Sequence, residues 1–134
     1  MATARIEYLG DLQTKCTHIK SGNFFVTDAP VDNNGKGSAF SPTDTMATAY
    51  VSCMITIIGI YCDQNTIPFT NCIGEVNKIM ASGPRRISAL EISLDLTGNN
   101  WSTEQEAKII QAAENCPVAK SVSEAMDISI SYKF

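Results

Sequence analysis

The chain has 134 residues and 44% hydrophobic content, which suits one domain and is too short for two of ordinary size, so residues 1–134 read as a single domain. Ten Lys and Arg against 14 Asp and Glu give a net charge of −4, and no basic run is present to track a phosphate backbone, so nucleic acid is excluded as an expected partner. Five cysteines, Cys16, Cys53, Cys62, Cys72 and Cys116, are odd in number and form no C-x-x-C pair, and His18 is the one histidine; this argues against a secreted disulfide scaffold and against a metal site.

Arg5, Glu7 and Asp11 interrupt the first twelve residues, which therefore lack the apolar core of a secretory signal, and a cytoplasmic location is expected. Short alternating stretches over residues 4–27, broken at Gly10 and Ser21-Gly22, predict two or three antiparallel strands, with Leu12, Thr14, Cys16 and His18 on one face. Residues 28–41 hold Asp-Ala-Pro and Asn-Asn-Gly-Lys-Gly and predict a long loop. Residues 43–65 then run with Gly59 as their only Gly or Pro and are apolar almost all the way round, which predicts a helix surrounded by other groups. Its length would also fit a membrane span. Thr45, Thr48, Ser52 and Thr56 recur through it, however, and no Lys or Arg closely flanks it, so burial inside a domain or dimer is expected and no membrane partner.

Alternation returns over residues 71–81 and 88–96, where Leu90, Ile92, Leu94 and Leu96 share a face, and Ser82-Gly83-Pro84-Arg85 should join the two strands as a hairpin. Ser102-Thr103-Glu104-Gln105 has the form of a capping box and opens a predicted helix to about residue 115, with Ala107, Ile110 and Ala113, together with Ile109 and Ala112, as its apolar stripe. Pro favours the first position of a helix, so Pro117 predicts a short second helix to about residue 125 with Cys116 at its N-cap. Ile128, Ile130, Tyr132 and Phe134 alternate with polar residues in a last strand. The class is α+β.

Two cysteines invite chemistry for different reasons. Cys116, at a predicted helix N-terminus, would have its thiolate favoured by free N–H groups, although a small buried cap residue fits the same position. Cys53 lies mid-helix among apolar residues, where desolvation opposes ionisation; it reads as a core cysteine unless a cation such as Lys20, His18, Arg85 or Arg86 reaches it. Cys16, Cys62 and Cys72 read as packing residues.

The run Gly37-Ser38-Ala39-Phe40-Ser41-Pro42-Thr43-Asp44, continuing through Ala49-Tyr50-Val51-Ser52-Cys53-Met54, resembles the first cysteine motif of the OsmC/Ohr family, with its Pro eleven residues before Cys. Ala113-Glu114-Asn115-Cys116-Pro117-Val118 resembles the second. Thr27-Asp28-Ala29-Pro30 and Pro84-Arg85-Arg86-Ile87 fit the OsmC-like branch.

The resemblance implies bent antiparallel sheets wrapped around long buried central helices in an intertwined homodimer. It also implies a thiol peroxidase for small organic hydroperoxides, with Cys53 peroxidatic and Cys116 resolving through an intramolecular disulfide. No bound cofactor is implied; an external thiol or dithiol, such as dihydrolipoamide, would supply electrons. Where organic hydroperoxide resistance members have Glu after the Pro and Arg in the early turn, this chain has Thr43 followed by Asp44, and Lys20. Lys20 and Asp44 are thus the candidates for activating Cys53, although Lys gives a point charge rather than a bidentate fork. Met46, Tyr50 and Met54 would give the site apolar walls. The altered pair leaves an alternative: a non-catalytic dimeric relative binding an apolar or lipid-like ligand.

Overall fold

The early alternation produces three strands in the computed structural model, which describes residues 1–134. Strands β1 (Ala4–Gly10), β2 (Gln13–His18) and β3 (Phe24–Asp28) form an antiparallel sheet in that order. Asp11 and Leu12, with φ of 53° and 63°, make the β1–β2 turn, because a two-residue hairpin loop whose twist matches the strands needs positive φ at both positions. Leu12 therefore belongs to the turn and not to the strand face that Thr14 and Cys16 share. This sheet lies within one compact unit, Met1–Met46, and the rest of the chain forms a second, Ala47–Phe134.

The loop after β3 is pinned by Asp28, whose buried carboxylate accepts the Ser38 N–H at 3.0 Å and the Ser38 hydroxyl at 2.5 Å through one oxygen. The loop also holds a single 3-10 turn, Val31–Asn33. Gly35 passes so near Ala29 that a Cβ there would lie 1.7 Å from the Ala29 carbonyl oxygen. Ser41 then opens the long helix α1 (Pro42–Gln64) with a reciprocal cap: its hydroxyl accepts the Asp44 N–H at 3.0 Å, and the Asp44 carboxylate accepts the Ser41 N–H at 2.9 Å.

Thr45 and Thr56 send their hydroxyl protons to the carbonyls of Ser41 (2.9 Å) and Ser52 (2.8 Å), which satisfies polar groups in an apolar helix. By length and composition alone α1 could cross a membrane. Within one chain its burial is partial. Ala47, Tyr50, Val51, Met54, Ile58 and Cys62 form one buried stripe at three- and four-residue spacing, while Met46 and Ile60 remain exposed.

In the second unit, β4 (Ile73–Ala81) and β5 (Arg86–Asp95) pair as the predicted hairpin. Leu90, Ile92 and Leu94 of β5, with Leu96 beyond it, lie at 3% exposure or less against α1 and α2, so the alternation correctly marked the core face. The last strand, β6 (Asp127–Lys133), pairs with β5 in parallel, correcting the all-antiparallel expectation. Helix α2 (Thr103–Glu114) lies between them in sequence and provides the crossover that a parallel pair needs.

The Ser102–Gln105 capping box forms in both directions. The apolar stripe of α2 is rotated from the one predicted: Ile109 and Ala113 are fully buried, whereas Ala107 is exposed. Asn99 ties the segment before β4 to the end of β5 with five hydrogen bonds. The short helix expected after Cys116 does not form. Residues 117–121 make turns instead, and α2 is the only helix between β5 and β6.

Candidate active site

Cys53 sits in the middle of α1, half-buried, where the helix places it one turn after Tyr50. Cys116 follows α2 by two residues and is fully buried on the continuation of the Ile109–Ala113 stripe. Folding brings these cysteines together across 63 residues of sequence: the thiol of Cys53 acts on that of Cys116, and both are free rather than bonded. The helix-capped environment expected for Cys116 survives for a single turn. Its sulfur accepts the Ala119 N–H at 3.4 Å, and its carbonyl accepts the Lys120 N–H at 3.1 Å.

That single turn does not make Cys116 acidic. Burial, the largest influence, pushes its thiol up; the Ala119 N–H pulls the other way, and Cys53 adds to the rise. On chain physics alone Cys116 looks the more activated thiol. In the fold, desolvation outweighs the cap, because a turn lacks the aligned peptide dipoles of a full helix.

Tyr50, Tyr132 and Glu114 complete the cluster. The Tyr132 hydroxyl donates to Glu114 Oε1 at 3.3 Å. Burial raises Tyr132 well above the ordinary phenol range, with the charge and hydrogen bond of Glu114 next and Tyr50 and Cys116 contributing. Tyr50 is raised too, by burial first and then by Cys116 and Glu114. Both phenols stay protonated donors at neutral pH. Sequence reasoning singled out neither Glu114 nor Tyr132. Glu114 lies inside the second cysteine motif, but Tyr132 reaches the cluster only through the parallel β6, which no local pattern announces.

Lys20 is exposed in the turn after β2, and His18 Nδ1 lies 2.6 Å from Ser21 Oγ. Asp44 is engaged in capping α1, and Arg85 and Arg86 sit at the β4–β5 hairpin, where Arg86 donates to the carbonyls of Ser82 (3.3 Å) and Pro84 (2.9 Å). Met54 is sealed in the core at 0% exposure, so it backs the site rather than walling an opening, while Met46 is 43% exposed. Cys16 lies in β2, Cys62 near the end of α1 and Cys72 just before β4; burial pushes the last two up.

Residues 35–131 match a family model described as OsmC-like protein. The chain belongs to the OsmC-like family. A crystal structure from Psychrobacter arcticus 273-4, provisionally described as an osmotic stress induced and detoxification response protein, is 41% identical, with 98% of this chain and 96% of that one covered and a TM-score of 0.93. An organic hydroperoxide resistance protein from Legionella pneumophila shares the fold at 17% identity, with 100% and 98% covered and a TM-score of 0.74. OhrB of Bacillus subtilis, also an organic hydroperoxide resistance protein, does so at 18% identity, with 98% of each chain covered and a TM-score of 0.67. No curated protein matches this OsmC-like chain.

Proposed function

We propose that this OsmC-like protein is a thiol-dependent peroxidase that reduces organic hydroperoxides through a sulfenic acid on Cys53 and an intramolecular Cys53–Cys116 disulfide. The observation that carries the reading is the approach of these two thiols, one half-buried and one fully buried, in a family that includes organic hydroperoxide resistance proteins. The roles follow from accessibility and protonation. Cys53 is the thiol a peroxide can reach, whereas Cys116 is enclosed and held as a thiol, which suits a group that acts second. Lys20 and Asp44 are the candidate activators of Cys53, and an external thiol or dithiol would reduce the disulfide.

A single pulse of cumene hydroperoxide followed by intact-protein mass tests the assignment. Wild type should lose two hydrogens, Cys116→Ser should gain one oxygen on Cys53, and Cys53→Ser should be unchanged. Full reactivity of Cys53→Ser would reverse the roles, and an inert wild type would favour ligand binding without catalysis. The reading includes a homodimer, supported by Ile6 and Phe24 at 62% and 60% exposure in one chain. Sedimentation should give twice the chain mass.

A further inference from the structure

Cleavage of an organic hydroperoxide by a thiolate expels an alkoxide, a stronger base than either a thiolate or a phenolate, so the step needs a proton donor beside the attacking sulfur. Tyr50 is the candidate for that donor. It stands three residues before Cys53 on α1, a spacing that places both side chains on one helix face, and it is 5% exposed. After burial, Cys116 and Glu114 both help to hold its hydroxyl protonated, so the phenol lies within electrostatic reach of the second thiol. The other titratable groups facing the cluster are Tyr132 from β6, already donating to Glu114, and Cys116 itself. The Lys120 side chain in the adjoining turn is exposed.

On the peroxidase reading above, we propose that Tyr50 is the catalytic proton donor to the departing alkoxide and is reprotonated by the Cys116 thiol, so that the first step generates the thiolate the second step requires. The Cys53 thiolate attacks the terminal peroxide oxygen; an S–O bond forms, the O–O bond breaks, sulfur is oxidised and the peroxide is reduced to an alcohol. The Tyr50 proton goes to the alkoxide and the Cys116 proton to the phenolate. Cys116, now a thiolate, attacks the sulfenic sulfur; the S–S bond forms, the S–O bond breaks, and the departing hydroxide takes a proton from solvent. A fully buried thiol that desolvation keeps protonated thus becomes a nucleophile only after Cys53 has been oxidised.

Tyr50→Phe removes the hydroxyl and keeps the ring in the core. The test compares rapid-mixing rates of Cys53 oxidation for wild type and Tyr50→Phe with tert-butyl hydroperoxide, whose alkoxide must be protonated, and with peracetic acid, whose leaving acetate need not be. The variant should lose about a hundredfold with the alkyl hydroperoxide and no more than about threefold with the peracid. Disulfide closure after oxidation by the alkyl hydroperoxide should also slow in the variant, since Cys116 then lacks its phenolate acceptor, whereas after peracid oxidation, which leaves Tyr50 protonated, the two proteins should close at the same rate. Equal losses with both oxidants would assign Tyr50 to packing and overturn the proposal, as would no loss with either. A wild type inert to both oxidants would overturn the peroxidase reading itself, a result distinct from either of these.

Discussion

Asn99→Ala should be among the most damaging single polar substitutions in the chain. Asn99 is 8% exposed, and its side-chain oxygen accepts from Thr70 N at 2.8 Å, Thr70 Oγ1 at 3.2 Å and Asn71 N at 3.3 Å. Its amide donates to Asn71 O at 2.8 Å and Leu96 O at 2.7 Å. Truncation leaves these partners without the side chain while the surrounding core still excludes water from some of them. Three of the five contacts are short, and at about 1 kcal/mol net for each of these the cost is about 3 kcal/mol. With a urea slope near 1.5–2 kcal/mol per molar, the midpoint should fall by roughly 1.5–2 M. Trp101, the sole tryptophan, donates from Nε1 to Pro68 O at 2.7 Å in the same region, so its fluorescence follows the transition. Asn99→Asp keeps the three acceptor contacts but sets a carboxylate oxygen against two carbonyls, and its loss should grow as pH rises through the carboxylate range. A midpoint shift under about 0.3 M for Asn99→Ala would place the residue with ordinary surface positions and refute the reasoning.

Gly74→Ala should destabilise by about 1–3 kcal/mol through overpacking, because its Cβ would lie 2.7 Å from Val51 Cγ1 and 3.0 Å from Ile55 Cδ1; a thermal melt at or above that of wild type would contradict this. Ser102→Ala should cost about 1 kcal/mol by breaking the α2 capping box, read from the urea midpoint, with Gln105→Ala adding little on top because the box is already open. The hydrogen bonds from Ser38 hold the Asp28 carboxyl below its ordinary value. A depressed folded value stabilises above the unfolded value and is lost as pH falls through the folded one, so the gap between wild type and Ser38→Ala should be full at neutral pH and shrink in acid; a gap independent of pH would sink the assignment.

What the sequence conveyed depended on whether the signal was local. The β5 alternation, the Ser102–Gln105 box and the β4–β5 turn are each written within a few residues, and the structure reproduces all three. Errors arose where distant parts decide. The stripe of α2 centres on Ile109 because the sheet beneath selects that face, leaving Ala107 exposed although the apolar pattern includes it in the stripe. Direction of pairing is not encoded in alternation, so β6 could be recognised as a strand but not as a parallel one. Pro117 is compatible with a helix start, yet the following residues make only turns. The candidate site divides in the same way. Cys53 and Cys116 are marked by motif and Glu114 lies within the second of these, whereas the placement of Tyr132 beside them depends on β6 lying alongside β5.

The separation of the paired cysteines along the chain has a mechanical consequence. A bond between Cys53 and Cys116 would enclose β4, β5 and α2 in a ring closed across 63 positions of sequence, leaving β6 outside it. In the chain-entropy account, a covalent loop of that size removes about 4 kcal/mol of freedom from the unfolded ensemble, a sizeable fraction of the stability of a small protein. Oxidation would then fasten the second unit against unfolding and reduction would loosen it, so the molecule would resist proteases best while waiting for a reductant.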